Sequence, residues 1–236
     1  MSLYYSPLYY GFDATYILVL IGFAVCMMAS IRMRSTYSKY ARVRSMSGMT
    51  GFDVANKILR MNGINDVTVE RGGNDLTDHY DPGRKVVRLS YSTYSSNSIA
   101  SVAVAAHECG HVLQHHKGYV PLSIRSSLVP VANIGSNFGI MLVIIGLIIG
   151  HFQPLITAGI FLFSGAVLFQ LITLPVEFDA SSRALVMLRD YGILGGDEER
   201  SARELLSAAA LTYVASAAAG ILQLLRLVLL SGRRRR

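Results

Sequence analysis

Long runs of apolar residues alternate with one polar stretch along this chain. The apolar runs cover residues 14–31, 128–150, 155–176 and 205–230. A bilayer core about 30 Å thick needs roughly 20 apolar residues in a helix, so each run is long enough to cross it. The pattern therefore predicts an integral membrane protein that is mainly α-helical. Residues 32–127 are expected to form a small α+β domain beside the transmembrane helices.

The first and the last apolar run each leave an alternative open. A cleaved signal peptide is the rival for residues 14–31, but basic residues follow this run and none precedes it. Tyrosines within residues 1–13 are typical of a membrane interface. The last run contains Arg226 and is followed by arginines 233–236. It either spans the bilayer against the positive-inside rule or packs as a buried or interfacial segment.

The polar stretch begins with two kinds of periodicity. Residues 48–62 repeat apolar side chains at helical spacing, and Gly63 is placed to end that helix. Residues 66–70 and 85–89 alternate as strands do, with a turn at 71–75. A small sheet is predicted here. Its edge could bind an extended peptide through backbone hydrogen bonds, or the strands could form a plain structural hairpin.

Residues 98–117 are rich in alanine and carry the clearest chemical signal. Polar residues 95–97 can cap the start of this helix. His107 and His111 are one helical turn apart, so both imidazoles project from one face and can reach one metal ion. Glu108 can there take a proton from a metal-bound water. An HExxH pattern also arises by chance, but these polar groups are costly in an apolar helix without a metal, so a catalytic zinc site is predicted.

The distribution of charge sets the orientation and introduces a third candidate ligand. Five basic residues lie between positions 32 and 44, which places that end of the first span in the cytoplasm. Only four residues separate the two middle runs, so they form a helical hairpin that returns to the same side. The return favours Glu177 as the third zinc ligand. In the alternative, Glu177 and Asp179 start a solvated helix and pair with Arg183.

Composition fits a membrane protein and argues against other classes. Hydrophobic residues make up 52% of the 236 residues and charged residues only 16%, with a formal net charge of +7. The basic residues can mark the cytoplasmic flanks of membrane helices. The sequence has no glycine-rich phosphate loop and no basic–aromatic array, so nucleic acid is not an expected partner. Cys26 and Cys109 lie in separate apolar segments and are not expected to form a disulfide.

Three motifs resemble one bacterial family. These are HECGH at 107–111, VEFDASSRA at 176–184 and AALTYVA at 209–215. They are similar to the YugP-like neutral zinc metallopeptidases and, more distantly, to the HtpX heat-shock proteases and the CAAX prenyl proteases. The resemblance runs from the first apolar run to residue 230. It implies a membrane-bound gluzincin that holds one zinc ion per chain through His107, His111 and Glu177, with Glu108 as general base.

One position departs from the pattern of these relatives. Their aspartate, which orients a ligand histidine, is replaced here by Ser181, while Asp179 lies two residues earlier. Asp179, Ser181 or a backbone carbonyl could act instead, since ligand histidines usually need such an acceptor. Tyr213 is a candidate donor to an oxyanion, or simply a packed tyrosine. His79 is a candidate substrate contact, or a loop residue.

Other polar residues near the motif have simpler interpretations. A metzincin site would need glycine and histidine where Gln114 and Lys117 stand, so that type of site is excluded. His115 and His116 are expected to form a polar helix end, where cations favour the helix dipole. Cys109 is expected to pack as a small residue and not to bind metal.

The sequence thus predicts a multi-pass cell-membrane zinc endopeptidase whose active site faces the cytoplasm. Expected substrates are membrane-associated or misfolded proteins. One rival is a scaffold with a structural metal site, which would not need Glu108, and another is a metal transporter, which would favour polar residues within the spans. The expected segments are an anchor at 1–31, a catalytic region at 32–127, a transmembrane hairpin at 128–176, a third-ligand region at 177–204, and an apolar helix with a basic tail at 205–236.

Overall fold

A computed structural model describes residues 14–73 and 77–232. The tyrosines assigned to a membrane interface, in residues 1–13, lie outside the described residues, as does part of the turn predicted at 71–75. Within the described ranges, the elements follow in the order α1 (Tyr16–Tyr40), α2 (Gly51–Met61), β1 (Thr68–Arg71), β2 (His79–Asp81), β3 (Val86–Leu89), α3 (Tyr91–Ser95), α4 (Ile99–His116), α5 (Val120–Ile148), α6 (Gln153–Asp190) and α7 (Asp197–Gly232).

Four of these helices, α1, α5, α6 and α7, are long and apolar enough to cross a membrane. Even the shortest of them, α1 with 25 residues, measures about 37 Å at 1.5 Å per residue, which exceeds a hydrocarbon core. The fold is therefore a mainly α-helical membrane protein with a small α+β part, as the hydrophobic pattern predicts. The last apolar run belongs to one continuous helix, α7. That α7 crosses the bilayer stays a prediction.

The chain divides into two compact units. One comprises the described residues of Met1–Met28 together with Leu128–Gln170 and the described residues of Ala215–Arg236. The other comprises Ala29–Ser127 and Leu171–Val214. The five segments proposed from the sequence stay a prediction.

The first unit has an apolar core of its own. Val143, Ile156 and Leu227 are almost fully buried within it. The α5–α6 hairpin packs backbone to backbone at Gly139 and Gly159, because a Cβ on Gly159 would lie 2.5 Å from the carbonyl oxygen of Gly139. Small residues are typical of such close contacts between membrane helices.

The second unit is built around α4, most of whose residues are buried. Helix α2 packs beside α4. Thr50 and Asp53 form a capping box at the start of α2. The α2 helix ends as predicted, with Gly63 in the left-handed region at φ +67°. Val54, Ile58 and other apolar residues of α2 lie in the same apolar core as the buried residues of α4.

The small sheet of this unit differs from a hairpin. Its strand order is β1-β3-β2, with β1 parallel to β3 and β2 antiparallel to β3. Strands β1 and β3 were expected from their alternation, but the three-residue β2 (sequence HYD) has no apolar periodicity to reveal it, and α3 was not expected either. Strand β2 forms one edge of the sheet and approaches α4, where the hydroxyl of Tyr80 lies 2.9 Å from Nδ1 of His115.

Candidate metal centre

Helix α4 positions both histidines of the motif. The helix starts near Ser98, as the sequence predicts, but its N-cap is Ser98 itself and not one of residues 95–97. The Ser98 hydroxyl accepts a hydrogen bond from the Ser101 backbone at 3.2 Å. One turn separates His107 and His111, whose ring centroids lie 4.8 Å apart at an interplanar angle of 85°. The two imidazoles therefore converge on one point beside the helix.

Helix α6 brings Glu177 to that point. Its Oε2 lies 3.3 Å from Nε2 of His107 and 3.7 Å from Nε2 of His111. One donor atom from each of the three residues lies within 4.8 Å of the others. Glu177 is only 2% exposed, so it does not start a solvated helix as the alternative required.

Gly110 allows α6 to come this close to α4. A Cβ at Gly110 would lie 2.5 Å from the carbonyl oxygen of Ala180 and 3.1 Å from its Cα. Ala180 is three residues after Glu177, about one helical turn along α6. A glycine in the middle of the motif thus sets the distance between the helix of the histidines and the helix of the glutamate.

The buried amide of Gln114 orients the His111 ring. Its Nε2 donates to the Val176 carbonyl at 2.7 Å and to the Asp179 carboxylate at 2.9 Å, which leaves Oε1 2.9 Å from Nδ1 of His111. Because that oxygen can only accept, Nδ1 of His111 must carry the proton. Nε2 of His111 then presents its lone pair towards Glu177, as a metal ligand must.

The two residues considered for orienting the histidines have different contacts. Asp179 pairs with Arg183 and reaches His111 only through Gln114. Ser181 lies next to the other histidine, with its hydroxyl 3.2 Å from Nδ1 of His107. An amide on one side and a hydroxyl on the other therefore occupy the places where a carboxylate would orient the ring.

These residues fit a zinc ion. Among the described residues, the buried Oε2 of Glu177 makes no hydrogen bond, although two ring nitrogens face it. Burial of His111 opposes its protonation, but contacts with Glu177 and Glu108 outweigh this effect and raise the pKa of His111. Two imidazoles and one carboxylate are one of the donor sets found in catalytic zinc sites, which keep a fourth position for water.

Arg125, at the start of α5, pairs with the other oxygen of Glu177. Its Nη1 lies 3.5 Å from Oε1. This contact compensates part of the negative charge of a buried carboxylate. It also fixes which oxygen faces the histidines.

A cavity of about 150 Å³ borders the donor set. Glu108, which is 7% exposed, lines it next to His107, and Tyr213 lines it from α7. Asp78, just before β2, also lines it and accepts hydrogen bonds from the backbone and hydroxyl of Ser90 at 2.8 and 3.2 Å. The remaining lining residues are Met33, Val104, Glu177, Ser181, Leu205, Leu206, Ala209 and Ala210.

Cys109 and the outer histidines lie apart from the donor set. Cys109 is fully buried with its sulfur 3.8 Å from the Ala55 carbonyl, and burial raises the pKa of its thiol well above the usual range. It is a packed neutral thiol, as predicted. His115 contacts Tyr80, and His79 is exposed on β2 with its Nδ1 2.8 Å from the Thr77 carbonyl oxygen.

Sequence reasoning missed Gln114, Arg125 and Asp78. Gln114 could have been found, because it lies three residues after His111 on the same helix face. Arg125 and Asp78 carry no such signal, since only the tertiary fold brings α5 and the start of β2 to the cavity.

The fold and the site define a helical membrane protein in which two histidines and one glutamate could together hold a metal ion. The chain belongs to the family described as "Putative neutral zinc metallopeptidase", which matches residues 15–232. It is 45% identical over 213 residues to "Putative membrane protease YugP" of Bacillus subtilis (strain 168), covering 90% of this chain and 94% of that protein. No solved structure matches the chain.

Proposed function

We propose that this protein is a zinc-dependent endopeptidase that cleaves membrane-associated or misfolded proteins. The proposal rests on Oε2 of Glu177, which is buried and has no hydrogen-bond partner among the described residues. This oxygen faces Nε2 of His107 and Nε2 of His111. Family membership and the similarity to a protein named as a membrane protease support zinc as the metal and peptides as substrates. One ion per chain would be held by His107, His111 and Glu177.

Glu108 is proposed as the general base. When bound, a zinc ion would supply a Lewis acid for the peptide carbonyl and would lower the pKa of a water molecule. Glu108 lines the same cavity, where it takes a proton from the attacking water and returns it to the leaving amine. A structural metal site would have no use for a carboxylate in this place.

Tyr213 is proposed to donate a hydrogen bond to the oxygen that becomes negative during attack. Its side chain lines the cavity that Glu108 and Glu177 also line. A phenol in such a place stabilises the tetrahedral intermediate. Gln114 and Ser181 act in metal binding and not in the reaction itself, because they hold the two histidines in the orientation that binds metal.

The edge of the small sheet is a candidate binding site for the backbone of a peptide substrate. Strand β2 is an edge strand, and Asp78 immediately before it lines the cavity of the donor set. An extended peptide that pairs with β2 would therefore pass close to Glu108.

The site is proposed to face the cytoplasm. Basic residues Arg32, Arg34 and Lys39 lie in the second half of α1, and Arg42 and Arg44 follow it. Of two reporter enzymes fused after residue 47, the one that works only in the cytoplasm should then be active, and the one that works only after export should be inactive. Activity of the exported reporter would show the opposite orientation.

The central test compares wild type with Glu108→Gln, both purified in detergent. We expect about one zinc per chain in both proteins, and cleavage of a denatured membrane protein by the wild type alone. Equal zinc without cleavage by either protein across a broad substrate panel would favour the scaffold. Folded wild type that takes up no supplied zinc would refute the metal site itself, and zinc flux into sealed vesicles that survives Glu108→Gln would favour the transporter.

A further inference from the structure

A second and larger hollow lies between α6 and α7 in the unit that holds the donor set. This α6–α7 groove, lined by residues 178–189 of α6 and 199–214 of α7, has a volume of about 610 Å³. Ligand-binding clefts span about 300–1,000 Å³. Its walls are apolar and open, because Phe178, Val186, Leu211 and Val214 are all exposed along it.

The α6–α7 groove adjoins the cavity of the donor set. Ser181, Leu206 and Ala210 line both hollows. The Ser181 hydroxyl lies 3.2 Å from Nδ1 of His107, so one end of the groove reaches a residue that touches a candidate metal ligand. Whatever fills the groove therefore lies next to the place where a peptide bond would be cleaved.

The polar end of the groove carries balanced charges. Arg203 pairs with Glu199 at 3.0 Å, and Arg189 pairs with Asp190 at 3.0 Å. Each arginine thus has a carboxylate partner, which leaves little excess positive charge to attract a phosphate headgroup. The balanced charge and the position next to the donor set together favour a peptide over an anionic phospholipid.

We propose that the α6–α7 groove binds an apolar segment of the substrate, immediately beside the bond that is cleaved. This inference rests on the proposed peptidase function and adds a substrate class to it. The enzyme would then select sequences whose large apolar side chains adjoin the cleavage site, such as exposed membrane-spanning segments of unfolded proteins. Charged side chains placed against the apolar part of the groove would be disfavoured, because the arginines at its polar end are already paired with carboxylates.

Binding is tested without catalysis by photocrosslinking in the Glu108→Gln background. A photoreactive residue is placed at Leu211 in the groove or, as a control, at Met61, which is exposed on α2 and lines neither hollow. The probe is a biotinylated peptide with a central leucine run, compared with the same peptide carrying serines. We expect crosslinks to the leucine peptide at Leu211 and not at Met61. Equal labelling at both sites, or crosslinks only to lipid or detergent, would overturn the proposal.

Selectivity supplies the second measurement. In Leu211→Arg, the ratio of kcat/KM for the leucine peptide to kcat/KM for the serine peptide should fall at least 10-fold, because apolar pocket contacts are worth about 10–200-fold in discrimination. Met61→Arg is the matched control and should leave both rates unchanged. If wild type cleaves but Leu211→Arg keeps the same preference, the groove proposal fails and the peptidase survives. If wild type cleaves nothing, the peptidase fails, and crosslinking alone decides the groove.

Discussion

Replacing Gly110 with alanine should separate the two helices that hold the donor set. The new Cβ would lie 2.5 Å from the Ala180 carbonyl oxygen, whereas ordinary contact begins at 3.4 Å. The helices must therefore part by about 0.9 Å, or distort locally by a similar amount. Metal–ligand distances tolerate only about 0.2 Å. Glu177, one turn from Ala180 on α6, would move out of reach of a shared ion with His107 and His111.

The same substitution should leave the protein folded. Overpacking a core typically destabilises by about 1–3 kcal/mol. Alanine in place of glycine within a helix returns about 1 kcal/mol. The net loss of stability is then about 2 kcal/mol at most, whereas zinc affinity should fall by at least 10-fold, the scale seen when the support of a ligand is lost.

Zinc affinity of Gly110→Ala is measured by competition with a chromophoric chelator, and folding by thermal unfolding in the same detergent. Gly195→Ala is the matched control, because a Cβ there meets nothing within 4 Å. Adding Ala180→Gly should not restore zinc binding, since the clash is with a backbone carbonyl. Zinc affinity of folded Gly110→Ala within twofold of wild type would refute the idea that this contact sets the position of Glu177.

Three further predictions concern the surroundings of the donor set. Gln114→Leu should weaken zinc binding by about 10–100-fold in a chelator competition, because the Nδ1–H of His111 loses its acceptor, whereas an unchanged affinity would mean that the amide does not orient the ring. Burial of His111 opposes its protonation, but nearby carboxylates outweigh this effect and raise its pKa. Protons should therefore compete with zinc at a higher pH than they would at a histidine of ordinary pKa. Isothermal titration of zinc binding from pH 8 to 5 checks this. In a Cys26→Ala background, Cys109 should react with maleimide only after unfolding, since its thiol is buried and its pKa is raised by that burial; rapid labelling of the folded protein would contradict this.

Features that depend on local periodicity can be predicted from the sequence alone. The apolar runs are long enough to predict helices that can cross a membrane, and the placing of His107 and His111 on one face of α4 follows from 3.6 residues per turn. The same reasoning located α2 with its end at Gly63 and two of the three strands, because their patterns extend over several residues. Glu177 was reached through the direction of a hairpin and through family resemblance.

The residues that meet around the donor set from distant parts of the chain are visible only in the folded protein. Arg125 reaches Glu177, and Gln114 joins His111 to Asp179, through side-chain contacts that no periodicity encodes. The central place of β3 between β1 and β2 likewise does not follow from the alternation of residues along any strand. Gly110 is an example. The sequence shows only a glycine in a helix, whereas the structure shows the Ala180 carbonyl oxygen of α6 so close that a Cβ at this position would not fit.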